Sequence, residues 1–178
     1  MKLLMHACCG PCSVNCIESL KSEKIVPDIF WFNPNIHPFT EYLQRRNNLE
    51  IYAQGLGLNV ILKDEYKLNQ FLADIFPYDF SRCKRCYKLR IFETARTARE
   101  LNYDAFTTTL LISIYQDHEL IIKTAQEAAK EYKIEFLYRD FRPHFREGQN
   151  IAKEQGLYMQ KYCGCIFSEE DRYLGKKR

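Results

Sequence analysis

Five short apolar runs separated by helical patterns constrain this chain more than anything else in its sequence. Leu3-Leu4-Met5, Val26 to Phe32, Asn59 to Leu62, Ala105 to Leu111 and Ile134 to Tyr138 carry the apolar, β-branched and aromatic signature of buried strands. Between them, Ser13 to Lys24, Thr40 to Leu56, Tyr66 to Phe76, Tyr87 to Leu101 and Asp117 to Tyr132 place apolar residues at helical spacing. A crossover helix between successive strands is what a parallel pair requires. The alternation therefore predicts an α/β protein with a five-stranded parallel, doubly wound sheet, and from about Phe141 a C-terminal helix-and-loop appendage. A chain of 178 residues is long enough for one substantial core and short for two, so residues 1–178 are expected to form a single domain with the tail 141–178 packed on it.

Open α/β sheets bind ligands at the carboxyl ends of their strands, and the first such end here is loaded with sulfur. Met5-His6-Ala7-Cys8-Cys9-Gly10-Pro11-Cys12 puts three thiols on the turn from the first strand into its helix, where N-terminal amides stabilise thiolates or an anion. Two blander accounts compete. Free cysteine is often a small buried hydrophobe, and Cys9-Gly10-Pro11-Cys12 also spells a thioredoxin-type redox turn. The sequence shows no basic segment followed by an apolar run of signal-peptide length, and no apolar stretch near the roughly 20 residues of a membrane span. A soluble cytoplasmic protein with no membrane partner is expected, and in that reducing compartment eight cysteines argue for metal binding or thiol redox chemistry over a disulfide framework.

The remaining thiols sharpen that choice. Cys83-x-x-Cys86 has the spacing of ligands converging on one zinc or one cluster edge. Cys163-Gly164-Cys165 is tighter and suits either two ligands or a strained, redox-active disulfide. Cys16 lies a turn beyond the first loop and is read as packing. Seven clustered thiols exceed what one four-coordinate zinc can use, which favours an iron-sulfur cluster with additional redox thiols or a second metal. His37, in the breaker-rich loop Asn33-Pro34-Asn35-Ile36-His37-Pro38, is either an exposed loop side chain or a contact or proton donor to substrate.

The net charge of +3 decides nothing alone, but its distribution is uneven. Arg82, Lys84, Arg85, Lys88, Arg90, Arg96 and Arg99 fall in one stretch against Glu93 as its only interior acid. With Arg45, Arg46, Arg139, Arg142, Arg146 and Lys176-Lys177-Arg178 they are candidates for a phosphate-binding surface interleaved with Tyr87, Phe141 and Phe145. A solvated helix face is the competing account.

Several of these motifs occur together in a pattern that resembles one family. His6-Ala7-Cys8-Cys9-Gly10-Pro11-Cys12-Ser13, Cys83-x-x-Cys86, Thr107-Thr108-Thr109-Leu110 with Tyr115-Gln116, Asp140-Phe141-Arg142, and Tyr162-Cys163-Gly164-Cys165 with Asp171-Arg172 are similar to the QueH family of cobalamin-independent epoxyqueuosine reductases. Ile114 departs from the pattern, standing where many relatives have proline before the Tyr-Gln pair. The resemblance implies a sheet akin to the nucleotide α-hydrolase-like folds and an iron-sulfur enzyme acting on tRNA that carries epoxyqueuosine. It implies Cys8, Cys9, Cys83 and Cys86 as ligands of a [4Fe-4S] cluster, and Cys163 and Cys165 as a redox-active pair or as ligands of an additional iron. Cys12 is a second candidate at the reacting site and Asp79 a weaker oxygen ligand. Holding the adjacent Cys8 and Cys9 on one cluster needs a sharp turn, which Gly10-Pro11 can supply. Lys84, Arg85 and Lys88 are the expected tRNA contacts.

Turning an epoxide into an alkene consumes two electrons and two protons and expels water, chemistry for which side chains alone have no easy route. No Gly-rich dinucleotide fingerprint is visible, so an external electron donor is expected. Two other classes compete. A thioredoxin-like thiol-disulfide oxidoreductase would use only Cys9 and Cys12. A cluster-bearing tRNA-thiolating enzyme would need an ATP-binding loop where cysteines stand here.

Overall fold

The computed structural model describes residues 1–76 and 82–175. Its strands are β1 (Leu3–His6), β2 (Pro27–Trp31), β3 (Val60–Leu62), β4 (Ala105–Thr108) and β5 (Glu135–Phe136). They form one sheet in the order β3-β2-β1-β4-β5, and every pairing is parallel. The predicted five-stranded parallel sheet is therefore the observed one. Its helices are α1 (Gly10–Ser22), α2 (Phe39–Gly55), α3 (Leu68–Asp74), α4 (Arg82–Glu100), α5 (His118–Tyr132), α6 (Phe145–Glu154) and α7 (Ile166–Tyr173).

The order dictates where a ligand can sit. From β1 the chain winds outward through α1, β2 and α2 to β3, then returns across the sheet to place β4 on the other side of β1. Right-handed crossovers in opposite directions put their helices on opposite faces, so α1 packs with α2 while α4 packs with α5. β1 is covered on both sides, which is why Leu3-Leu4-Met5-His6 is buried at every position instead of alternating. The carboxyl ends of β1 and β4 flank the crevice where the winding reverses.

Three of the element boundaries that differ from expectation shape the site, each for a local reason. Helix α1 begins at Gly10, not Ser13: Cys9 caps it with an extended backbone, its Sγ accepting from Cys12 N at 3.4 Å, and Pro11 occupies the first turn, where a missing N–H costs nothing. The Gly10-Pro11 pair is thus helix, and the turn precedes it. Helix α4 already contains Cys83 and Cys86 instead of following them. Strand β4 stops at Thr108, whose Oγ1 accepts from Leu110 N and starts a short 3-10 turn over Thr109–Ile112.

The tail folds back on the sheet's carboxyl rim. Helix α6 lies against α1 so closely that a Cβ on Gly148 would sit 3.2 Å from that of Asn15, and Asn15 Nδ2 donates to His144 O at 2.6 Å. The segment before α7 then joins the loop after β2: His37 N donates to Gly164 O at 2.8 Å and Tyr162 Oη to His37 O at 2.6 Å. At Gly164 φ is +126°, and a Cβ would meet Ile36 Cγ1 at 3.0 Å, so glycine is required there.

Candidate metal centre

The cysteines gather in two groups at the rim where β1 and β4 end. The first is local. Cys8, Cys9 and Cys12 have Sγ atoms within 4.8 Å of one another, a set that can hold a metal. The Cys8 and Cys9 sulfurs are 3.8 Å apart. Thr109, at the end of the neighbouring strand, accepts from Cys8 N at 3.3 Å and places its hydroxyl 3.6 Å from Cys8 Sγ. Gln160 Nε2 donates to Cys12 Sγ at 3.3 Å, and Ser13 Oγ donates to Cys9 O at 2.8 Å.

Such a buried triad does not ionise evenly. Hydrogen bonds from Cys12, Cys9 and Thr109 hold the Cys8 thiol well below its usual range against the penalty of burial. Burial pushes Cys9 up, and hydrogen bonding to Cys8 and Cys9 pushes Cys12 up. The three sulfurs therefore titrate as one coupled set, with Cys8 its most acidic member.

The second group is assembled across the chain. Cys83 and Cys86 on α4 and Cys163 and Cys165 from the tail line one small pocket together with Phe71, Phe167 and Arg90. Cys165 caps α7, its Sγ accepting from Ser168 N at 3.4 Å. Burial pushes the Cys86 thiol up to about 12, and Arg90 opposes it. The Arg90 side chain lines this pocket and is also within electrostatic range of Cys8 in the first group. Desolvation and that same cation lower the buried His6 to about 4, keeping the imidazole neutral.

The structure therefore brings seven thiols to one rim in two groups, and the expected quartet Cys8, Cys9, Cys83 and Cys86 takes two from each. Cys12 Sγ lies within 4.8 Å of both the Cys8 and the Cys9 sulfur. Cys16 is fully buried in the apolar core below them. Asp79 lies outside the described residues. His37 is not an exposed loop side chain: it is 1% exposed, its ring 5.1 Å from that of Phe71, with neither ring nitrogen hydrogen-bonded. Burial lowers its pKa to about 4.

The basic surface needs a larger correction. Arg45 and Arg90 are each 1% exposed. Arg45 spends its guanidinium on Glu41, Tyr162 O and Cys163 O, clamping the tail loop. Arg82 pairs with Asp171, Arg46 with Asp64 and Glu50, Arg96 with Glu93 and Glu100, Arg139 with Glu23, and Arg142 with Asp140. Tyr87 and Phe141 are buried rather than interleaved with the charges. The physical reason is periodicity, because a charge run wraps the whole circumference of a helix and part of it must face inward. What α4 presents outward includes Lys84 and Lys88, while Arg85 is half-buried and donates to Ile75 O at 2.9 Å. Lys176-Lys177-Arg178 lie outside the described residues.

Arg90 is the site residue the sequence reading placed wrongly, although a signal existed. Cys83, Cys86 and Arg90 follow one another at three and then four places, which is one face of one helix. The residues also fit a metal-thiolate cluster on an observation independent of the cysteines: Arg90 Nη2 is buried with no hydrogen-bond partner, a cation left for an anion beside thiols.

Comparisons with known proteins agree with this architecture. The chain resembles the crystal structure of a predicted subunit of a tRNA methyltransferase from Methanocaldococcus jannaschii, with a TM-score of 0.53 over 92% of this chain and 95% of that one; at 15% identity the likeness speaks for the fold. An epoxyqueuosine reductase QueH from Dehalococcoides mccartyi is 31% identical over 97% of this chain and 94% of its own. One from Thermotoga maritima is 31% identical over 96% and 91%. Residues 3–171 match the family model described as epoxyqueuosine reductase QueH. With both the whole described sheet and all the clustered cysteines inside that span, the chain belongs to the QueH family of epoxyqueuosine reductases.

Proposed function

We propose that this protein reduces epoxyqueuosine to queuosine in the tRNA anticodon loop, in the cytoplasm, with a [4Fe-4S] cluster held by Cys8, Cys9, Cys83 and Cys86. The observation that carries it is the meeting of two thiol groups around a buried, unspent arginine where the sheet's winding reverses. When bound, a cluster capped by four thiolates would supply electrons one at a time.

The chain's own residues account for the rest. Cys163 and Cys165 flank a glycine and face Cys83 and Cys86 across the pocket, so they serve as a redox pair or as ligands of an additional iron. As a pair, their oxidation to a disulfide releases two electrons and two protons, the amount that opening the epoxide to an alkene and water consumes. An external donor must then reduce the disulfide, and a strained one is readily reduced. Phe71 and Phe167 supply apolar lining to the pocket. The buried Cys12 adds a thiol beside Cys8 and Cys9. On the outer face of α4, Lys84 and Lys88, with Arg85 beside them, hold phosphates while the modified base is turned out of the loop toward the cysteines.

A thioredoxin-like use of Cys9 and Cys12 is disfavoured because it leaves Cys83, Cys86, Cys163 and Cys165, gathered around one pocket, without a role. Anaerobic reconstitution with iron and sulfide, followed by turnover of an epoxyqueuosine stem-loop, tests the proposal. About four iron per chain, a brown protein and formation of queuosine are expected; stoichiometric zinc with no labile sulfide would sink it.

A further inference from the structure

Two arginines are buried at the rim, and only one is used by the protein. Arg45 and Arg90 are each 1% exposed, but Arg45 has a carboxylate and two carbonyls as partners. Arg90 donates through Nε to Cys86 O at 3.4 Å, a long bond, and leaves Nη2 without an acceptor. Among the described residues no carboxylate pairs with it. Its other near neighbour is the Tyr87 ring, 5.9 Å from the guanidinium carbon to the centroid. An arginine cannot shed its proton to escape this position, so an uncompensated charge is stored in the core.

The charge lies in the lining of the pocket formed with Cys83, Cys86, Cys163 and Cys165. One thiol from each cysteine motif, Cys86, Cys163 and Cys8, lies within electrostatic reach of it. Without metal the cysteines offer this guanidinium little negative charge, since burial holds Cys86 beside it protonated, whereas a cubane ligated by four thiolates is an anion and gains a further negative charge on reduction. We propose that Arg90 is the internal counter-cation of the cluster: a positioning residue that fixes an anionic metal-thiolate centre and favours its reduced state. This rests on the proposed function above. The planar fork of arginine also suits the role, because it can donate to two sulfurs at once where lysine offers a point charge.

The test uses the full chain as wild type, Arg90→Met and Arg90→Lys, each studied metal-free and after anaerobic reconstitution. Metal-free Arg90→Met should melt no lower than the metal-free wild type, because it loses an uncompensated buried charge. Loading should then raise its melting temperature less than it raises the wild type's. In a dithionite titration followed by electron paramagnetic resonance, its cluster should be at least tenfold harder to reduce, a shift of about 59 mV for one electron. Arg90→Lys should keep most of the wild-type potential.

A lower metal-free melting temperature with an unchanged potential would show a merely structural arginine and overturn the inference. Should Arg90→Met not fold, Arg90→Gln is judged by the same potential criterion. Wild type that takes up no iron and sulfide brings down the proposed function and the inference together, while wild type and variant with equal cluster content and equal potential bring down the inference alone.

Discussion

The two thiol groups are built in opposite ways. Cys8, Cys9 and Cys12 span five consecutive positions on the end of a central strand and the first turn of its helix, held by a neighbouring threonine and a helix cap. Cys83, Cys86, Cys163 and Cys165 come from two helix starts far apart in sequence, brought together by Arg45 clamping the tail and by His37 pairing with Gly164. A site made from contiguous chain inherits the rigidity of the sheet. One made from distant segments depends on every contact that docks the tail, and is the easier of the two to open.

The strongest test of that contrast removes one sulfur at a time. Alanine at Cys8, Cys9, Cys83 or Cys86 should abolish cluster binding, measured as iron and sulfide per chain, while Cys16→Ala should keep the full content because Cys16 only fills the core. Bleaching by Cys16→Ala alone would mean the ligand set is misassigned.

The next effect separates the groups by role. The double variant Cys163→Ala/Cys165→Ala should keep the visible spectrum of the cluster yet lose multiple turnover of an epoxyqueuosine stem-loop. Undiminished turnover with chemical reductant would remove the tail pair from the reaction.

A smaller effect compares the groups' glycines. Gly164→Ala forces a side chain into φ +126° against Ile36 and should cost about 1–3 kcal/mol in denaturant unfolding. Gly10→Ala meets chiefly the end of the Asn48 side chain, at 2.6 Å, on a helix that otherwise welcomes alanine. It should cost clearly less. Equal losses would erase the distinction between a site built on the sheet and one built on docking.

The mildest effect concerns the surface around the second group. Replacing Lys84 and Lys88 by alanine should weaken stem-loop binding and flatten its logarithmic salt dependence by up to about 1.4–1.8, if each neutralises one phosphate. Replacing Arg139, which already pairs with Glu23, should change that slope less. The reverse ranking would move the RNA away from α4.

How far the sequence carried can be followed residue by residue. The strand identity of Leu3-Leu4-Met5 and the placing of three thiols just after it follow from local chemistry, since an apolar run and a proline-bearing helix start act on their immediate neighbours. The start of α4 was set too late because the basic and cysteine-rich stretch from Arg82 lacks apolar periodicity, yet it is helical through its packing on the sheet. His37 and Arg90 were legible as residue types but not as buried ones. Burial depends on what lies opposite, and their neighbours Phe71, Gly164 and Cys163 arrive from distant parts of the chain.

By itself, then, the sequence determined the alternation that forces a parallel sheet, the grouping of Cys8, Cys9 and Cys12 on the turn after its first strand, and the requirement for thiol chemistry, all set by interactions within a few residues. Only the tertiary structure decided that Cys163 and Cys165 face Cys83 and Cys86, that Arg45 is spent on the tail, and that Arg90 is kept unspent beside the thiols. The reason is that charge and burial are properties of a place assembled from several segments. No single segment carries the desolvation or the opposing charge that gives an arginine its role.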